Sequence, residues 1–494
     1  MPEKLKLAVI GAGISGLAAA IELADKGCKV AVFEKNPSYG GRGQMIERNG
    51  FKFDLGPSWY WMPDVFERFF QDYGKSTSDY YELLRLDPSY QIIFSNETIQ
   101  IPAEIHETYA LFEQIEPGSS VFLEKFLKEA KYKYEVGMQE FVRKPALQIS
   151  EFLSIRLLKS VFSMELFSSL EAAVFKGVKN DKLRKLLCFP VLFLGAKPSE
   201  TPALYSLMNY ADLILGSWYP KGGMIKLFEA LYLIAIEKGV QFHFNTAVEK
   251  INIENKTVNG IRIAGKDLYF DAVLSTADYH HTDTALVDSK YRQYSNSYWE
   301  DRTMAPSALI FYLGINKRID HLLHHNLFFN SGFEKHTAEI YDTKAWPEEP
   351  LFYACVPSKT DLGVAPPGSE NLFLLVPIAS GIKDSLDQQD RIFEYLLDQL
   401  ETHTGQEIRS SICFKESMCV HDFEQAYNSF KGNAYGLANT LKQTSILKPR
   451  IRHNKVKGLY FAGQLTHPGP GLPPSLISGQ ISAKQILKDY KYEF

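Results

Sequence analysis

Gly11, Gly13 and Gly16 stand between two short apolar runs, and their spacing narrows what this end of the chain can become. The stretch LAVIGAGISGLAAAIELADKGCKVAVFEK reads as strand, glycine turn, helix, strand and acid. That is the order of a βαβ unit that holds an adenine dinucleotide. Gly11 permits the tight turn, Gly13 lets the backbone approach a pyrophosphate, and Gly16 lets the helix pack close to the strand. The helix opens at Ile14 and Ser15 and offers free amides and the positive end of its dipole to phosphate. Glu34, with Lys35 beside it, closes the second strand, where a carboxylate accepts hydrogen bonds from a ribose diol.

A nicotinamide-binding unit needs nothing more, yet Gly40, Gly41 and Arg42 follow almost at once. FDLGPS, with Asp54, Gly56, Pro57 and Ser58, comes soon after. The glycine pair with its arginine resembles the GG-R element of flavoproteins related to the amine oxidases. That resemblance implies FAD as cofactor, with this element along its phosphates and ribityl chain.

The chain has 494 residues, 45% of them hydrophobic, enough for two or three domains with a large core. Its 54 basic residues against 58 acidic ones give a net charge of −4, and no nucleic-acid-binding motif is present. Five scattered cysteines without a CxxC pair point to reduced thiols in the cytoplasm. No metal-ligand spacing stands out. The first strand begins by residue 7, so no cleaved signal peptide is expected. The apolar stretches Cys188 to Ala196 and Leu372 to Ala379 fall far short of the ~20 residues of a membrane-crossing helix.

Further along, YQIIFSNETIQI alternates like a strand pair, and residues from about 118 to 215 are mostly helical, broken by prolines. A helix from Ile225 to Lys238, a strand from Val240 to Phe244, a hairpin at TVNGIRI and a strand with turn from Asp271 to Asp278 follow. This second αββ block predicts an α/β cofactor domain assembled from separate segments. SALIFYLGI, LFYACVP and NLFLLVPIA, with a helix from Asp390 to Leu400, predict a mostly antiparallel sheet backed by helices. A strand then runs into Gly463 and Gln464, followed by THPGPGLPP and a last helix from near Ser475.

Taken together, the glycine turn, GGR, FDLGPSWYWMPDVFERFF, YPKGGM, NTAVEKI and FAGQLTHPGPGLPP resemble the bacterial-type phytoene desaturases and related carotenoid desaturases. A weaker match runs from Phe423 to Gln443, and the middle helical region carries no motif. The resemblance implies a Rossmann-type FAD-binding domain made of residues 1–75, 218–290 and 451–494. It also implies an α+β substrate domain of residues 76–117 and 291–450, and a helical, membrane-facing region of residues 118–217. The Val248 amide then meets the adenine, Gly463 and Gln464 pass the ribityl and phosphates, and the amides of Leu476 and Ile477 support negative charge on the flavin. Asp54, Asp278 and His467 are the titratable candidates for proton transfer in matched segments; bracing and flavin-edge roles are open to Asp54 and His467. Trp59, Tyr60 and Trp61 serve either as walls of an apolar polyene tunnel or as ordinary core. Phe152 to Leu187 mixes apolar residues with Arg156, Lys159, Lys176, Lys179, Lys182, Arg184 and Lys185. Such a stretch suits a bilayer surface or a solvated basic face.

The expected activity is desaturation of a C40 polyene by hydride transfer to FAD. The expected setting is the inner face of the cell membrane, with oxygen or a quinone as electron acceptor and no nucleic acid. Phytoene is the first expectation for the substrate. A later-acting enzyme that works at the 3,4 position of a hydroxylated or monocyclic carotenoid shares most of these residues. An amine or protoporphyrinogen oxidase, or a non-catalytic lipid-binding relative of the prenyl-protein escort proteins, is the alternative outside the desaturases.

Overall fold

The computed structural model describes residues 4–148, 151, 168–330, 332–440 and 442–492. Its first layer is a five-stranded sheet in the order Leu459–Phe461, Ala272–Ser275, Lys6–Ile10, Lys29–Phe33, Gln241–His243, with every pairing parallel. Strands buried on both faces are near-continuous apolar runs, as in LAVI, VAVF and AVLS, where the buried Ser275 hydroxyl pairs with Thr282 Oγ1 at 2.7 Å. Three helices flank the sheet: Ile14–Asp25 after the glycine turn, Ile225–Glu237, and Leu472–Asp489 at the C-terminus. The first packs against both of the others. At one crossing Ser15 Oγ donates to the Ser475 carbonyl at 2.7 Å, and a Cβ on Gly479 would lie 2.3 Å from the Ser15 carbonyl oxygen. Segments hundreds of residues apart therefore close one α/β unit.

The second layer is a seven-stranded sheet in the order Ile412–Met418, Ser307–Ile315, Glu370–Ile378, Phe352–Cys355, His325–Phe328, Tyr90–Ile93, Thr98–Ile101. It is antiparallel except where His325–Phe328 runs parallel to Tyr90–Ile93, so the sheet is mixed. Period-two alternation sends Leu309, Phe311 and Leu313 to one face, where they pack with Ile392, Leu396, Leu397 and Leu400 of the helix Leu386–Thr404. Ile310 and Tyr312 go to the other face and join the main core.

Two local expectations are corrected. TVNGIRI is not a hairpin: Thr257–Ile263 is the central strand of a three-stranded antiparallel sheet between Lys250–Glu254 and Lys266–Tyr269. The turn falls instead at Asn255 and Lys256, both with positive φ, and Gly260 is a close-packed position where a Cβ would meet the Leu268 carbonyl oxygen at 1.9 Å. The last helix starts at Leu472 rather than near Ser475, because Pro473 and Pro474 fit its first turn, where no amide partner is needed.

In the middle region, helices Ser119–Val136, Leu170–Phe175 and Asp181–Cys188 carry the described part. Arg156 and Lys159 of the expected basic face lie outside the described residues. Of the others, Lys182 pairs with Glu97, Lys185 with Asp181, and Arg184 Nε donates to the Val178 carbonyl. Those three cations are engaged within the protein. Among the described residues no helix is long and apolar enough to cross a membrane.

Candidate active site

A cavity of about 630 Å³ is walled by the glycine turn on one side and the seven-stranded sheet on the other. The three glycines of the turn take three different geometries. Gly11 has φ +100°, and Gly16 packs so tightly that a Cβ would sit 2.0 Å from the Gly11 carbonyl oxygen. Gly13 faces the cavity, and a Cβ there would meet nothing within 4 Å. Behind it the helix begins at Ile14 with neither a side-chain cap nor an acid in its first turn. Its leading amides and dipole are therefore free to meet an anion.

Glu34 is buried at the end of the second strand, accepting from the Ala12 amide at 2.8 Å and the Asn36 amide at 2.9 Å. Lys35 Nζ donates to the Gln425 carbonyl at 2.6 Å, and both residues line the cavity with Thr246, Ala247 and Val248. Gly40 (φ +112°) and Gly41 (φ +56°) bring the chain back over the turn; a Cβ on Gly41 would lie 3.2 Å from the Gly13 Cα. Arg42 then enters the wall beside Asp278. Its Nη2 donates to Ser429 Oγ at 3.1 Å, its guanidinium lies over the Tyr427 ring at 4.9 Å, and its buried Nε has no partner. Burial pushes the Asp278 carboxyl up to about 6 despite the opposing pull of Arg42. Gly56 is held where a Cβ would strike the Arg42 carbonyl oxygen at 2.7 Å, with Pro57 and Ser58 next along the wall. Open space at Gly13, uncapped amides and an unpartnered buried guanidinium N–H together fit an extended dinucleotide.

The C-terminal segment meets the same cavity through Gly463, Gln464 and Pro470 to Ser475. Leu476 and Ile477 do not reach it. The helix starts at Leu472, so both are buried beyond its first turn and their amides serve the helix itself. His467 also stays behind the wall, its Nε2 3.3 Å from the Phe141 carbonyl, and burial pushes its pKa down to about 4. Asp54 accepts from the amides of Met224 at 2.8 Å and Ile225 at 3.2 Å, which ties it to the start of the helix Ile225–Glu237. Burial raises its pKa to about 7. Neither residue lines the cavity.

The rest of the wall is aromatic and aliphatic. Trp59 and Trp61 line it with Phe189, Leu327, Phe329 and Tyr353, whereas Tyr60 turns away and meets the Tyr81 hydroxyl at 2.7 Å. The Asp, Glu, Lys and Arg side chains among the described wall residues are Glu34, Lys35, Arg42 and Asp278, all near the glycine turn. Tyr353 was missed in the sequence although LFYACVP was legible as a strand; its alternation separates Tyr353 from Phe352 but cannot say which faces a ligand. Behind Tyr353, the buried side chains of His324, His325 and Cys355 gather, with a ring nitrogen of each histidine and the thiol within 4.8 Å of one another. His325 Nδ1 is already engaged by the Tyr353 hydroxyl at 2.6 Å.

Residues 14–487 match the family described as flavin containing amine oxidoreductase. The chain is 39% identical over 483 residues to a carotenoid 3,4-desaturase of Haloarcula japonica, covering 97% of this chain and 98% of that one. It is 32% identical to a zeta-carotene-forming phytoene desaturase of Myxococcus xanthus, covering 98% and 94%. Cyclohexylamine oxidase from Brevibacterium oxydans superposes with a TM-score of 0.59 at 15% identity, covering 99% and 100%; that likeness concerns the fold.

Proposed function

Because the chain belongs to the flavin containing amine oxidoreductases and is an FAD-dependent oxidoreductase, we propose that it desaturates a carotenoid. The observation that carries this reading is the division of the cavity. Its charged residues gather at the dinucleotide cradle, and the remainder is aromatic and aliphatic wall suited to a hydrocarbon chain. An amine oxidase needs polar recognition of its substrate, and no carboxylate stands on the aromatic part of the described wall.

Desaturation removes a hydride and a proton from neighbouring carbons, and bound FAD supplies the hydride acceptor. The glycine turn, Gly40, Gly41 and Arg42 would hold the phosphates, Glu34 would bind the ribose, and Val248 would border the adenine. Gly56, Pro57, Ser58, Gly463 and Gln464 would line the remaining course. Trp59 and Trp61 exclude water and keep a flat polyene in line, so that reacting carbons meet the acceptor in a fixed geometry. The amide-poor start of the helix at Leu472, with two prolines in its first turn, closes the cavity without competing donors.

The 39% identity to a 3,4-desaturase, against 32% to a phytoene desaturase, favours a late step at the 3,4 position. Thr337 and Tyr341 on the wall give a hydroxylated end group polar company. Phytoene is the second reading. Substrate delivery from a membrane surface is supported by exposed Val121 and Phe175, which lie on adjoining helices where Gly177 packs against Phe122. Oxygen or a membrane quinone would reoxidise the cofactor.

The test is FAD-loaded protein in liposomes carrying either phytoene or a hydroxylated or monocyclic carotenoid, followed by visible absorption. A red shift with the second substrate alone supports the 3,4 step, and coloured products from phytoene support the other. No change with either, together with amine turnover, would remove the desaturase reading.

A further inference from the structure

Loss of a hydride leaves a cation on the polyene, and a proton must then leave the adjacent carbon. The titratable groups near the cavity are mostly committed elsewhere. His336 lines the wall, but its Nδ1 accepts from the Leu351 amide at 3.1 Å and its Nε2 meets the Pro377 carbonyl at 2.9 Å, leaving no lone pair. Asp278 lies by Arg42 and accepts from the His281 and Phe430 amides. Asp54 and His467 sit behind the wall.

Tyr353 differs. Its ring lines the aromatic part of the cavity, and its hydroxyl interacts with Cys355 and with Ser58, which follows Gly56 and Pro57 along the cofactor side of the same wall. The hydroxyl lies 2.6 Å from His325 Nδ1, and this short contact is set by register, with Tyr353 opposite Leu327 and Cys355 opposite His325. His325 is fully buried, carries an unpartnered Nε2, and is clamped by the stacked Trp59. We propose that Tyr353 accepts the proton released by the polyene while passing its own hydroxyl proton to His325 Nδ1.

The balance is simple. The C–H pair of electrons becomes the new C=C bond, one O–H bond breaks and another forms on Tyr353, and His325 becomes an imidazolium. Burial holds His325 neutral beforehand, and a proton next to a carbocation is acidic enough to reach so weak a base. His324 offers the way out: its ring lies 4.5 Å from that of His325, its Nε2 is unpartnered, and its Nδ1 meets Thr360 Oγ1 at 2.8 Å. Thr360 is half-buried, nearer solvent.

The proposal rests on the desaturase reading. Its test is anaerobic single turnover of the FAD-loaded protein with carotenoid in liposomes, following loss of the oxidised-flavin absorption. Tyr353→Phe and His325→Gln should each slow it by about 10²-fold, the low end of general acid–base effects. FAD content should not change, and the solvent deuterium effect of the wild type should vanish. Wild-type rates within about threefold in both variants, on that same scale, would overturn the proposal while leaving the desaturase reading intact. A wild type that bleaches with no carotenoid removes the reading and the proposal with it. Should a variant lose its FAD, 3-fluorotyrosine at position 353 keeps the shape and changes only the acidity; an unchanged rate there overturns the relay.

Discussion

Trp59 lies flat on His325, with ring centroids 4.0 Å apart and planes 12° from parallel. One face of the indole belongs to the cavity wall and the other covers a buried imidazole, so packing in the wall and the placing of His325 are one arrangement.

Trp59→Leu should break that arrangement. Loss of the stack should cost about 0.5–1.5 kcal/mol of stability beyond the buried area, read as a lower melting temperature. Carotenoid binding should weaken while FAD content stays near wild type, because Trp59 belongs to the aromatic wall. Equal loss of both would show that the wall is not divided as described.

Gly13→Ala and Gly16→Ala should fail in different ways. Gly13 has φ −75° and ψ 179°, allowed to alanine, and its Cβ would enter only the cavity. That variant should fold with an unchanged apoprotein melting temperature and lose FAD affinity by at least about tenfold, the effect of ~1.4 kcal/mol. In Gly16→Ala the Cβ would collide with the Gly11 carbonyl oxygen, so the apoprotein itself should lose about 1–3 kcal/mol.

Asp212 accepts from the Tyr90 hydroxyl at 2.8 Å, and burial raises its pKa from 3.8 to about 7. The folded protein therefore binds this proton more tightly than the unfolded chain, and the associated stability is complete near pH 4 and lost as pH rises through 7. Asp212→Asn keeps an acceptor for Tyr90 and has no proton to lose. Its melting temperature should gain on wild type between about pH 4 and 7. Buried histidines such as His336, held near 4, pull both proteins down in acid and cancel in the comparison. A constant difference across the range would contradict the argument.

His467→Asn should leave turnover within about threefold, well below the loss expected for a group that moves protons. The expected cost is about 1 kcal/mol of stability, from the contact with the Phe141 carbonyl. A hundredfold loss of turnover with intact FAD would restore His467 as a candidate for the chemistry.

A Val121→Ser, Phe175→Ser double variant should sediment several-fold less with vesicles of anionic lipid, while keeping its FAD and its fold. Unchanged sedimentation would count against substrate delivery from a membrane through this patch.

The cradle was legible because its constraints are local. A glycine at positive φ, one at a close approach and one facing an open cavity each leave a mark within six residues of sequence. GGR and the strand into Gly463 are legible for the same reason. The far wall was not, because Tyr353 and His325 meet only through strand register, and alternation in LFYACVP does not say which face looks inward. Asp54 illustrates the other difficulty: a carboxylate beside a glycine turn reads equally as an acid or as a clamp on backbone amides, and only the positions of Met224 and Ile225 decide it. Leu476 and Ile477 lie beyond the helix start because the two prolines ahead of them open the helix instead of preceding it.

The central strand Lys6–Ile10 bonds on one side to Ala272–Ser275, which in turn bonds to Leu459–Phe461, and the helix after the glycine turn rests on Leu472–Asp489. One α/β unit is thus completed by segments that lie far apart in the sequence. Contacts of such sequence separation form late and slowly, and a growing chain meanwhile exposes apolar strands that aggregate readily. The cavity that receives the cofactor is walled by both Gly13 and Pro470 to Ser475, so it takes shape only once these distant segments have met.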